Sequence, residues 1–339
     1  MKLSALDITV LRSDQSTADA LSASLGVART ADELGYERYW LAEHHNMADI
    51  GATNPPVLIA LIASVTSRMR VGSGAVLLPN HSPLVIAEQF AILEAAFPGR
   101  IDLGIGRASG SDPVTAWALR NGTGGDGAGD FAGQIDQLMA MLGPAGLTVR
   151  ADGRPYELRA TPGARSVPTT WLLGSSDFSA RLAAAKGLPY VFAHHFSGRG
   201  TAEALALYRG NFRPSAELAE PKTFLTVNAC VAETEEEALR RALPQGLGLL
   251  ALRTGAPLQP QRLIEEAEKV DLSSGERALI DSILSTWVIG SPSQACERIK
   301  ELAATYDVDE VMVNPVAGAY TGTEPGTAPT REDTLRLIA

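Results

Sequence analysis

The chain has 339 residues, 45% hydrophobic and 20% charged, an ordinary globular composition ample for a large folded core. A formal net charge of -10 argues against nonspecific nucleic-acid binding, but leaves room for an anion held by one or two local arginines. Two cysteines, Cys230 and Cys296, are too few for a disulfide framework. No basic-then-apolar leader opens the chain and no apolar run reaches the ~20 residues of a membrane span, so a soluble cytoplasmic protein is expected.

Residues 3–11 are apolar and bounded by Arg-Ser-Asp, which predicts a buried strand. Residues 16–34 read as a helix, with Ser16 or Thr17 as cap and Gly35 just past its end. Residues 38–41 predict a second strand, followed by Ala42-Glu43-His44-His45-Asn46. Asn54-Pro55-Pro56 opens a helix to about Ser67, since proline in a first turn loses no hydrogen bond. Residues 71–78 predict strand three. Ser82-Pro83 starts the next helix, whose Ile86, Phe90, Leu93 and Phe97 share one face. Residues 101–105 predict strand four, ending in Gly104-Ile105-Gly106-Arg107.

Residues 108–133, glycine-rich over 121–130, predict a mobile loop: a surface insertion or a flap over a ligand. A helix over 131–142 and a hairpin over 149–158 follow. Strand five, 170–173, ends in Gly174-Ser175-Ser176-Asp177 and runs into a helix to Lys186. Strand six, 189–193, ends in His194-His195-Phe196, with a helix over 201–212. Strand seven is 224–231. The helix over 234–252 opens on acidic residues, where a helix start favours them. Residues 253–290 read as an irregular or helical insertion, 292–306 as a helix, 310–314 as strand eight and 330–338 as a final helix.

Eight short strands alternating with helices predict an α/β fold, a (β/α)₈ TIM barrel with insertions after strands four and seven, as one domain over 1–339. A doubly wound sheet fits less well, because no glycine-rich phosphate loop follows strand one.

All five histidines (His44, His45, His81, His194, His195) fall at the C-terminal ends of predicted strands, the face where barrels keep their active sites. One chemistry open to them is a metal site with Glu43. Against it, strand one offers no His-x-His, and adjacent residues of a strand end point opposite ways. The other is an anionic cofactor. Arg107 can fork onto a phosphate, Gly104 and Gly106 leave room beside it, and Ser175 and Ser176 precede a helix start whose N–H groups bind anions.

Several segments together resemble the bacterial luciferase-like flavin monooxygenases: Tyr39-Trp-Leu-Ala-Glu-His-His45, Val71-Gly-Ser-Gly-Ala-Val-Leu-Leu-Pro79, Ser82-Pro83, Ala87-Glu-Gln89, Phe97-Pro-Gly-Arg-Ile-Asp102 and Gly104-Ile-Gly-Arg107. Gly187-Leu-Pro189 and the stretch from Gly290 to Val311 add to it. The short Glu-His-His and long Leu-Leu-Pro segments resemble the branch with oxygenases of actinobacterial aromatic-polyketide pathways. The resemblance implies a (β/α)₈ barrel and FMN delivered reduced (FMNH2) by a separate, diffusing reductase. It implies reaction with O2 through a flavin C4a-peroxide to oxidise a hydrophobic, aromatic polyketide-type small molecule.

By residue, the resemblance makes His44 the catalytic histidine. Arg107 is the phosphate ligand, aided by Ser176 and Ser175, and Gly74-Ala75 is a non-prolyl cis peptide under the flavin ring. It places Leu6, Asp7, Asn54, Leu77 and His194 around that ring. His81 yields the chemical role to His44. Two positions depart from the pattern: Gly106 stands where the light-emitting subunit has a reactive cysteine, and strand five ends in Gly-Ser-Ser without an acidic residue. The alternatives are an F420-dependent oxidoreductase of the same superfamily, a metal-dependent barrel hydrolase and a non-catalytic flavin-binding protein. A homodimer is implied through the helices after strands two and three, where Ala60, Ala63, Ala87 and Ala91 allow either close helix contact between copies or packing on the barrel.

Overall fold

The computed structural model describes residues 1–122 and 129–339. Eight parallel strands form the barrel: β1 (Lys2–Asp7), β2 (Arg38–Leu41), β3 (Arg70–Ser73, continued by Val76–Leu77), β4 (Ile101–Gly106), β5 (Thr169–Gly174), β6 (Tyr190–Phe192), β7 (Thr223–Val231) and β8 (Glu310–Pro315). The sheet closes where Lys2 of β1 pairs with Glu310 of β8. It is the (β/α)₈ TIM barrel that the strand-helix alternation predicts. The barrel strands lack the hydrophobic-polar alternation of a half-exposed sheet because both faces are covered.

Helices α1 (Thr17–Glu33), α2 (Pro55–Val65) and α3 (Pro83–Ala96) pack on the outside of the first strands. Ser16 and Asp19 form a capping box at the start of α1. Asn54 Oδ1 accepts the Val57 N–H at the start of α2. Gly35 takes φ 79° beyond α1, the left-handed value for which glycine suits that turn. Ala63, Ala87 and Ala91 are buried against the barrel, so they do not supply a close helix contact between copies. The outward face of α2 and α3 carries Val57, Leu61, Val85 and Ile92 instead.

Three expectations need correction. The first strand stops at Asp7 rather than residue 11, because Thr9 turns the chain at φ 51° and Asp7 Oδ1 accepts the Thr9 N–H at 2.7 Å. The third strand is not continuous over 71–78: it is interrupted at Gly74-Ala75, the cis peptide that the resemblance implies, and Val76–Leu77 pairs with β4 as a separate piece. The insertion after β7 is not wholly irregular or helical. It holds helices Ile264–Ala267 and Ser274–Leu284, and then a strand, Val288–Gly290, paired in parallel with Ala229–Val231 of β7. Three residues are too few to show a period. Residues 123–128 of the expected mobile loop lie outside the described residues.

The barrel interior is closed at its N-terminal end and open at the other. A buried ion network fills the closed end: Arg38 reaches Asp102 at 2.7 Å and Glu310 at 2.6 Å, and Arg70 reaches Asp102 at 2.6 Å. Above it, Leu6, Trp40, Trp171, Val191, Phe224 and Met312 form an apolar layer. Gly104 lets β3 and β4 approach, since a Cβ there would lie 2.1 Å from the Ser73 carbonyl oxygen. The C-terminal ends of the strands surround the cavity described next. Among the described residues no helix is long and apolar enough to cross a membrane.

Candidate active site

The cavity at the C-terminal mouth has a volume of 1420 Å³, above the about 300–1,000 Å³ usual for one small ligand. Its floor is apolar, with Leu6, Trp40, Val191 and Met312 beneath and the Gly74-Ala75 peptide at one side. A Cβ on Gly74 would lie 3.1 Å from Trp40 Cε3, and one on Gly106 would lie 3.1 Å from Leu77 Cδ2. Both glycines thus keep the wall thin where β3 and β4 end.

Arg107 leaves β4 directly and lines the cavity. Its guanidinium lies 4.1 Å from the ring centroid of Phe178, in the first turn of the ten-residue helix Asp177–Lys186. Among the described residues no carboxylate pairs with it. Ser176 stands at that helix's cap position without making a capping hydrogen bond. The first-turn N–H groups that a cap would satisfy are therefore left for water or a ligand. Ser175, Ser176 and Ser179 line the same part of the cavity. A charged fork, hydroxyl groups and an uncapped helix start in one place fit a phosphate. A glycine-walled apolar floor fits a flat ring. The residues present therefore fit a phosphate-bearing cofactor with a flat ring, as FMN and F420 both are.

Glu43 is buried at the end of β2 and holds three groups. Its Oε1 accepts from His45 Nε2 at 2.9 Å and from His81 Nε2 at 2.7 Å, and its Oε2 accepts the Leu77 N–H at 3.0 Å. Burial alone would raise its pKa. The hydrogen bonds from both imidazoles, the charge of His81 and the Leu77 N–H outweigh that and hold the carboxyl down at about 2. His45 lines the cavity but its Nε2 is taken, and His81 lies outside the lining. Among the described residues no group of three His, Cys, Asp or Glu side chains could hold a metal ion.

His44, between Glu43 and His45, is anchored by its backbone N–H on the Ala52 carbonyl (2.9 Å). Its ring lines the cavity and its Nδ1 is buried with no partner among the described residues. Burial lowers its pKa, the Glu43 charge opposes and His45 adds to the lowering. A neutral imidazole is the result, able to accept a proton.

Leu6, Leu77, Gly74, Ala75, Arg107, Ser175 and Ser176 line this cavity together with His44. Asn54, Asp7 and His194 do not line it. Asn54 is exposed and spent on the α2 cap. Asp7 lies behind β1, accepting from the Tyr39 hydroxyl at 2.6 Å and from Arg331 at 2.6 Å. His194 turns away, its Nδ1 2.8 Å from Thr201 Oγ1 and its ring against Tyr306.

His195 lines the cavity in its place. The two histidines open a single helical turn, His194–Ser197, where successive side chains point about 100° apart. Burial, with smaller contributions from the His44 and His194 charges, lowers the His195 pKa to about 4. Sequence reasoning also passed over Thr226, Asn228 and Asn314, polar residues inside β7 and β8. Their side-chain types were visible within apolar strands, but which face they take was not.

The model of the family "Luciferase-like monooxygenase" matches residues 1–308. The chain is 42% identical over 312 residues to the uncharacterized protein YvbT of Bacillus subtilis strain 168, covering 92% of this chain and 90% of that one. It is 39% identical over 311 residues to a luciferase-like monooxygenase of Escherichia coli K12, with the same coverage of 92% and 90%. Among solved structures, apo-MsnO8 superposes with a TM-score of 0.84 at 32% identity, over 99% of this chain and 97% of that one. At lower identity the likeness is of fold alone. The oxygenating constituent of 3,6-diketocamphane monooxygenase, solved with FMN, gives 0.71 at 18%, covering 100% and 96%. An F420-dependent secondary alcohol dehydrogenase gives 0.64 at 14%, covering 100% and 99%. A family match over most of the length, a luciferase-like relative at 39% identity and a barrel with its site at the strand ends agree: the chain belongs to the luciferase-like monooxygenases.

Proposed function

We propose that residues 1–339 act as one FMN-dependent monooxygenase unit, taking reduced FMN from a separate reductase and oxidising a hydrophobic small molecule with O2. The observation that carries the reading is Arg107. Its guanidinium, unpaired by any carboxylate among the described residues, lies on the first turn of a helix whose cap residue makes no capping bond, in a cavity large enough for a cofactor and a second ligand. Reduced FMN, when bound, supplies the electrons that activate O2 for transfer to the substrate.

The chain's own residues then have distinct tasks. Arg107, Ser175 and Ser176 hold the phosphate. Gly74, Ala75 and Leu6 support the ring. His44, neutral and lining the cavity, takes up or returns a proton on its imidazole. The apolar walls, including Leu249 and Leu252, exclude water from the reacting groups. Copies of the chain pair through the exposed apolar residues of α2 and α3.

The test is a comparison of cofactors under anaerobic conditions. Reduced FMN should form a complex whose oxidation on mixing with air differs in rate from that of free reduced FMN. Deazaflavin F420 should show no hydride exchange with the protein and a panel of alcohols. Exchange with F420, together with no binding of reduced FMN, would replace this reading by the F420-dependent one.

A further inference from the structure

His195 is mounted more firmly than a wall residue requires. Its backbone carbonyl accepts from Asn228 Nδ2 at 2.9 Å, and Asn228 Oδ1 accepts in turn from Asn314 Nδ2 at 2.9 Å. Its ring is fixed separately, with Nδ1 2.9 Å from Thr226 Oγ1. The Thr226 hydroxyl also lies 3.2 Å from the Phe192 carbonyl oxygen, which can only accept. A hydroxyl has one proton. With that proton donated to the Phe192 carbonyl, Thr226 accepts from His195, whose own proton then sits on Nδ1. That leaves Nε2 as a bare lone pair, and among the described residues no donor is bonded to it.

We propose that His195 Nε2 is the site's second acceptor and determines substrate specificity, receiving the hydroxyl proton of an otherwise apolar substrate. The proposal rests on the monooxygenase reading above and names the substrate class within it. Phe196, Leu249 and Leu252 supply apolar wall nearby in the cavity, suited to the body of such a molecule. A lone pair in that wall repels a carboxylate and leaves an ether unpaired, so it selects a donor. Burial keeps the ring neutral and the acceptor available. His44 meets the same cavity from β2 with its own neutral imidazole, so a hydroxyl held by His195 lies in a site that already contains a base.

Two measurements test this. Nitrogen-detected NMR of the whole protein should show His195 with Nδ1 protonated and Nε2 bare; the reverse tautomer overturns the proposal. Calorimetric titration should then compare naphthol with its methyl ether, with and without oxidised FMN, on wild type and His195→Phe. Wild type should bind naphthol at least about tenfold more tightly than the ether, the scale of one hydrogen bond to a buried acceptor. In His195→Phe the ratio should approach one. No preference in wild type, or a preference that survives the substitution, overturns the proposal. A fall in FMN affinity with the naphthol preference intact would assign Nε2 to the cofactor and also overturn it. A naphthol preference that depends on His195 in a protein that fails to bind FMN would support His195 and count against the cofactor reading.

Discussion

Charge divides the site. Arg107 brings a cation that the described protein leaves unpaired, Glu43 an anion shared by three donors, and His44 and His195 two imidazoles kept neutral by burial. Removing the Glu43 carboxylate strands the Leu77 N–H and two imidazole N–H groups together. Glu43→Ala is expected to cost about 1–3 kcal/mol, the usual penalty for buried polar groups left unsatisfied, read as a lower urea midpoint at neutral pH. The same residues set the acid response. Between pH 6.5 and about 4 the unfolded chain protonates His195 while the folded chain does not, so stability falls as pH drops through that window. Glu43, depressed from 4.5 to about 2, stabilises fully above 4.5 and loses that contribution as pH falls towards 2. Urea midpoints across pH 7.5 to 4.5 should therefore decline in wild type and less steeply in His195→Phe; parallel declines would contradict the assignment. At this scale the sequence was only partly readable. Arg107 and His44 follow strand ends directly, so motif order located them at the cavity. The choice between His194 and His195 depended on one helical turn after β6, and Thr226 on strand parity, neither of which composition or spacing encodes.

The barrel strands were legible because each is a short apolar run closed by polar or turn residues, and the helices because their caps are written in sequence: Ser16 with Asp19, Asn54 before two prolines, Ser82 before Pro83. What stayed hidden was short, as with Val288–Gly290, whereas the cis peptide at Gly74-Ala75 was already implied by the family resemblance. Close approach between elements is testable at single glycines. Gly104→Ala places a methyl 2.1 Å from the Ser73 carbonyl oxygen, a backbone atom that cannot swing away. It should destabilise by about 1–3 kcal/mol or more, as overpacking does. Gly210→Ala, in the helix Thr201–Asn211 with nothing within 4 Å of the new methyl, should be neutral or gain up to about 1 kcal/mol. Thermal melts of the pair separate steric conflict from a general intolerance of substitution.

As a whole molecule the chain holds a large open cavity at the barrel mouth and leaves apolar residues Val57, Leu61, Val85 and Ile92 on the outside of α2 and α3. The homodimer proposed above uses those residues. Ile92→Arg should halve the mass seen by light scattering while leaving the circular dichroism spectrum unchanged; a wild-type mass would remove this face from the account. The central claim is that the cavity binds FMN by its phosphate at Arg107. Anaerobic titration of wild type and Arg107→Ala with reduced FMN tests it most directly. Wild type should form a saturable complex, and Arg107→Ala should bind about 10- to 100-fold more weakly, the worth of charge-assisted hydrogen bonds to a phosphate, with an unchanged thermal midpoint in the absence of flavin. Equal affinity in the two proteins, or no binding by either, would contradict the account.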